Sequence, residues 1–192
     1  MNLGKTIYVK DKHEWRKWLG KNHKIETEIW LIYYRKETGK PRISYNDAVE
    51  EALCFGWIDS NVKSIDNERF AQRFSVRKKT SQLSEMNRQR IVKLISQKRM
   101  TKPGLEAIAH VFNAKEEKTI DLIISDDILT PLKANKKAWT NFQKLPESYK
   151  RIRIAFIESR RRHGEEMFKK SLNHFIEMTA KNKRFGFVKE ML

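Results

Sequence analysis

Glu28 to Tyr34 reads EIWLIYY, a run of apolar, aromatic and β-branched side chains that has the length of a strand and is too short for a buried helix. It fits a strand in the middle of a sheet, and a central strand obliges the rest of the chain to supply neighbours and cover. Thr6 to Val9 reads as a second strand. Trp57 to Ile65 and Arg69 to Arg77 flank the polar turn Asp66-Asn67-Glu68, the pattern of a hairpin. Between these runs the period becomes helical. Asp11 can cap a helix bearing Trp15, Trp18 and Leu19 that ends near Asn22. Ser44, with Asp47 three residues on, opens a helix whose stripe is Tyr45, Ala48, Val49, Ala52 and Phe55, and Gly56 stands where a left-handed cap belongs.

From Ser84 onward the pattern is helical. One helix runs to about Lys98 and another starts near Pro103 and continues past Val111. The acidic stretch Glu116 to Asp127, followed by Thr130-Pro131, reads as a connection. Beyond it lie Ala134 to Lys144, Pro146 to His163 and Glu165 to about Lys183. Leu145, Tyr149, Ile152 and Phe156 form one stripe, and Phe168, Leu172, Phe175 and Thr179 another, as in an antiparallel helix pair. The expected class is α+β: a small mixed sheet with packed helices over residues 1–128, then an all-helical, basic part over 129–192.

The net charge of +17 is unevenly placed. Residues 1–59 carry +2, 60–103 carry +9, 104–128 carry −4 and 129–192 carry +10. Two positive blocks of this kind attract nucleic acid, anionic lipid headgroups or acidic proteins. The first block contains Arg69, Arg73 and Arg77, four residues apart, so strand and helix alike place them on one face. Their forked donors suit carboxylates or an anionic ligand. With the turn centred on Asn67, Trp57 pairs with Arg77, Asp59 with Ser75 and Asn61 with Arg73. Phe70, Phe74 and Val76 then face the core, and Trp57 and Asp59 join the arginine face. The candidate ligand-binding residues are Tyr34, Trp57, Asp59, Arg69, Arg73, Arg77 and Lys78. The cations hold the anion, with Lys79 beside them, and Trp57 or Tyr34 stacks a base or another ring.

No catalytic residue or cofactor is assigned. The five histidines have no metal-ligand spacing, and nucleotide-binding and nucleophile-elbow motifs do not occur. The single Cys54 between Leu53 and Phe55 reads as a buried structural thiol, with no disulfide or C-x-x-C motif available. The N-terminus lacks an apolar signal-like stretch and no run reaches membrane-spanning length, so a cytoplasmic protein is expected.

Several segments resemble the bacteriocin-protection, or YdeI/OmpD-associated, family. They are EEALCFGWIDS at Glu50 to Ser60, RFSVRKKTSQLSEMN at Arg73 to Asn87, LPESYKR at Leu145 to Arg151, the opening IWLIYYRKETGKPRISYNDAVEEAL and the helix pair near Ile157 to Lys170. Leu83 stands where that family usually has Trp, and Val76 where it often has Pro. The resemblance implies a bacterial stress or antimicrobial-protection role without an assignable reaction. The expected function is therefore non-enzymatic binding of an anionic ligand or polyanion through the arginine face. Nucleic-acid binding is one alternative, and an enzyme with a pocket near Trp57 and Asp59 is the other.

Overall fold

A computed structural model describes residues 3–113, 121–186 and 188. The chain divides into two compact units, one of residues 1–83 and 90–114, the other of residues 84–89 and 115–192. The class is α+β, with a four-stranded mixed sheet and helices in the first part and helices alone from Asp126 to Ala180.

In the first unit β1 (Thr6–Tyr8), α1 (Lys12–Asn22) and β2 (Glu28–Tyr34) form a parallel crossover unit. Asp11 caps α1 by accepting from the amides of His13 and Glu14. α2 (Tyr45–Cys54) starts at Ser44, whose hydroxyl accepts from the Asp47 amide and donates to its carboxylate. It ends at Gly56, which takes φ +76 and turns the chain straight into β3 (Trp57–Ser64). β4 (Arg69–Val76) returns antiparallel between β2 and β3, giving the order β1-β2-β4-β3, so EIWLIYY is indeed an interior strand.

One face of the sheet carries Ile29, Leu31, Tyr33 and Phe74 and belongs to a core with Trp15, Leu19, Ala48, Val49 and Trp57. Trp15 and Leu19 are fully buried, each contributing about 1.5–3 kcal/mol relative to exposure. Behind α2, Glu51 receives Arg16 at 2.6 Å and Arg99 at 2.6 Å, and Glu50 receives Arg99 at 2.9 Å.

α3 (Glu85–Ser96) crosses the division between the units, and α4 (Lys102–Glu106) follows in the first. The helix expected past Val111 is shorter than its pattern, because the chain leaves α geometry after Glu106.

In the second unit α5 (Asp126–Ala134), α6 (Lys136–Gln143), α7 (Glu147–Ser159) and α8 (Glu165–Ala180) bury Ile128, Leu132, Phe142, Tyr149, Ile152, Phe168, Leu172 and Phe175. Thr130-Pro131, read as part of a connection, lies inside α5, since burial of Ile128 and Leu132 outweighs the one hydrogen bond that proline removes. The part of that connection at 116–120 lies outside the described residues. Phe156 leaves its predicted stripe and is 41% exposed, while Ile154 and Ile157 are buried in its place. No described helix is long and apolar enough to cross a membrane.

Candidate functional site

The second face of the sheet carries the arginines. Cross-strand partners share a face, and β4 pairs with β2 as Arg69 to Tyr34, Arg73 to Trp30 and Ser75 to Glu28. Beyond the end of β4, Arg77 is held by its amide, which donates to the Gly56 carbonyl at 2.9 Å. The Lys78–Ser81 turn then brings the Ser81 carbonyl back to Arg77 Nη2 at 2.6 Å.

Arg73, Arg77 and Lys78 meet around a cavity of about 420 Å³ that Thr27, Ser60, Ser75 and Ser81 also line. Glu28 is its one acid among the described lining residues. Arg73 is committed to Glu28: Nε donates to Oε2 at 3.0 Å and Nη2 donates to the same oxygen. This bond holds the Glu28 carboxyl below the usual carboxylate range. Arg77 differs. It is only 7% exposed, its Nε has no hydrogen-bond partner, and burial pulls its guanidinium below the ordinary value with no carboxylate offsetting it. Lys78 is exposed at the rim.

The other predicted site residues go elsewhere. Arg69 is taken by Asp66, whose Oδ2 accepts from Nε at 2.8 Å and from Nη2 at 2.6 Å. Tyr34 lies beside it, edge-on to Tyr8 and under the Lys40 ammonium. Trp57 and Asp59 are not on the arginine face. The register is Trp57 to Val76 and Asp59 to Phe74, one residue from the predicted pairing, and it shifts across a bulge between Asp59 and Val62. Below the bulge, Val62 to Gln72 and Ser64 to Phe70 follow the spacing set by the Asn67 turn. Above it every side chain changes face. Trp57 is therefore buried at 1% and packs edge-on against Trp18. Asp59 Oδ2 accepts from the Tyr45 hydroxyl and from Gln72 Nε2, both at 2.9 Å, on the core side. Val76, predicted as core, is 42% exposed at the last position of β4. A cavity of about 610 Å³ does adjoin Trp57, lined also by His23, Phe55, Lys102 and Glu106, but Asp59 is not among its lining residues.

The hydroxyl side chains around Arg77 were not picked out in the sequence. Ser60 sits in the bulge, and Ser81 joins through a turn, so neither shares a simple spacing with the arginine row. Cys54 is buried, and its thiol is pushed up to about 11 by burial and by Glu51. No group of three or more His, Cys, Asp or Glu among the described residues is placed to hold a metal ion.

A family model described as Domain of unknown function (DUF8412) matches residues 7–107, more than half of the chain, and encloses every residue of the Arg77 cavity. The chain belongs to that family. Residues 121–182 match a second family, described as Bacteriocin-protection, YdeI or OmpD-Associated, and this stretch contains α5 to α8. Of the segments that resemble the bacteriocin-protection family in sequence, LPESYKR and Ile157 to Lys170 fall in the second match, while Ile29 to Ser60 and Arg73 to Asn87 fall in the first. No curated protein and no solved structure matches the chain.

Proposed function

We propose that this chain is a non-catalytic anion-binding protein whose first unit takes a phosphate-bearing small molecule in the cavity of Arg73, Arg77 and Lys78. The observation that carries this is Arg77, a buried guanidinium with an unpartnered Nε and no carboxylate, at the wall of a cavity. A buried charge without a partner is costly, and an anion seated beside it removes that cost. Lys78 adds a mobile cation at the rim, and Glu28 fixes the Arg73 fork without filling the Arg77 end. A polyanion track would need the whole row open. Here Arg69 and Arg73 each chelate an acid, which favours one enclosed anion over extended nucleic acid. The description of the second matched family supports placing this binding in antimicrobial protection.

The test is calorimetric titration with inorganic phosphate, pyrophosphate and a single-stranded oligonucleotide across a salt series, using wild type and Arg77→Met. Saturable 1:1 uptake of phosphate or pyrophosphate that weakens about tenfold or more in the variant supports the reading. Oligonucleotide binding with a steep salt slope and no phosphate uptake would replace it with the nucleic-acid reading. Absence of all three would refute both.

A further inference from the structure

The second unit holds a cavity of about 480 Å³, within the roughly 300–1,000 Å³ that buries a small ligand. α7 gives it Arg153, Phe156 and Ile157, and α8 gives it Met167, Lys170, Ser171, His174 and Phe175, the i, i+3, i+4, i+7, i+8 positions of one helical face. Met86, Arg160, Phe185, Gly186 and Val188 also line it. Two properties stand out. The floor is apolar, with Ile157, Phe175 and Val188 each 1% exposed, while Phe156 and Met167 remain 41% and 38% exposed. Every ionisable side chain among the described lining residues is basic or a histidine: Arg153, Arg160, Lys170 and His174.

Two of these guanidinium groups each carry a buried Nε without a hydrogen-bond partner. Arg153 is only 6% exposed, yet its Nε has no hydrogen-bond partner, although Nη2 donates to the Phe185 carbonyl and the group stacks 3.8 Å from the Phe185 ring. Gly186 leaves room for it, since a Cβ there would lie 2.9 Å from Nη2. The Nε of Arg160 is likewise buried and unpartnered, with its guanidinium 4.4 Å over Phe156. Glu158, close by in sequence, is engaged by Arg161 at 2.5 Å. An apolar chamber whose charged groups are all cations, with two guanidinium Nε atoms unsatisfied, fits a molecule with an apolar chain and an anionic head.

We infer that this cavity binds a single-chain fatty acid, its hydrocarbon lying on Ile157, Phe175 and Val188 and its carboxylate accepting from Arg153 and Arg160, with Lys170 at the rim. The inference is independent of the Arg77 site, which lies in the other unit.

The experiment titrates the full chain with octanoate, decanoate and dodecanoate below their micellar concentrations, and with dodecyltrimethylammonium as the cationic control. Wild type is compared with Arg160→Gln and Lys170→Gln, whose folding is checked by circular dichroism. Both residues retain solvent contact. The expected result is 1:1 dodecanoate binding, tightening about fourfold per methylene along the series. Arg160→Gln should weaken it about tenfold, Lys170→Gln by less, and the cationic amphiphile should not compete. Equal uptake of the cation, or carboxylate binding indifferent to Arg160→Gln, would overturn the proposal. So would self-association in sedimentation without dodecanoate uptake, which would put a second copy of the chain on Phe156 and Met167.

Discussion

Replacing Arg77 by Met should remove the proposed anion site and leave the fold nearly as stable as before, and a paired arginine gives the contrast. Arg77→Met loses the charged hydrogen bond from Nη2 to the Ser81 carbonyl, about 1.5–3 kcal/mol. It also removes a buried, unpartnered Nε, whose desolvation costs about 1–3 kcal/mol, and Met fills much of the same volume. The net change should lie within about 1 kcal/mol of zero. Arg99→Met leaves Glu50 and Glu51 buried with less compensation and should cost about 3–5 kcal/mol. Urea unfolding followed by tryptophan fluorescence reads this well, because Trp15, Trp18, Trp30 and Trp57 all lie in the first unit. The midpoint should move by more than about 1 M for Arg99→Met and by little for Arg77→Met. Equal, large losses in the two variants would make Arg77 a structural residue of the Lys78–Ser81 turn and would refute the argument for a ligand.

Gly104→Ala should destabilise the first unit by about 3 kcal/mol, since a Cβ would lie 2.2 Å from the Cys54 carbonyl oxygen, whereas Gly20→Ala, in open space on α1, should stabilise by about 0.5–1 kcal/mol; chemical unfolding checks both. The Cys54 thiol should resist disulfide-exchange reagents at pH 8 until the protein unfolds. Because burial raises its folded pKa, its contribution to stability is full below its usual value near 9 and is lost as pH rises toward about 11, which unfolding curves at pH 8 and 10.5 would reveal. In the second unit Arg161 holds the Glu158 carboxyl below the usual range, and Ser125 with Arg161 does the same for Asp127. Their contribution is present above the usual carboxylate pKa and lost as pH falls through the lowered values, so Arg161→Gln should flatten the acid limb of a circular-dichroism titration.

The elements visible in the sequence are those in which local pattern and burial agree. EIWLIYY, the Asp11 and Ser44 caps and the Gly56 turn each state their own geometry, and the four positions Phe168, Leu172, Phe175 and Thr179 are buried on α8 as their spacing requires. What local pattern could not carry was the bulge between Asp59 and Val62. Nothing in WIDSNVKS marks an extra residue, and a single residue moves Trp57 and Asp59 from the arginine face into the core. α5 likewise hides behind Thr130-Pro131, because its helix rests on burial of Ile128 and Leu132 more than on propensity. The arginine row was legible, but its partners were not: Glu28 reaches Arg73 from a neighbouring strand, a pairing that sequence separation conceals.

Net charge alone does not locate an anion site, because most of it can be neutralised or solvated. Arg16, Arg69, Arg73, Arg99 and Arg161 each hold a carboxylate, and this accounts for their positions without any ligand. The informative cations are buried and unmatched. Arg77 and Arg153 are both over nine-tenths buried, both carry an unpartnered Nε, and each lines a cavity within its own unit. Desolvation is costly at both, so a gain elsewhere must offset it, and the walls indicate which gain. Around Arg77 are serine, threonine and Lys78, a setting for a compact, heavily hydrated anion that exchanges water for fixed donors. Around Arg153 are Ile157, Phe175, Phe185 and Val188, where a hydrated anion loses water without replacement unless an apolar chain accompanies it. On these proposals, a guanidinium with an unpartnered Nε would take different ligands in the two units, so phosphate should fail to displace dodecanoate and dodecanoate should leave phosphate binding unchanged.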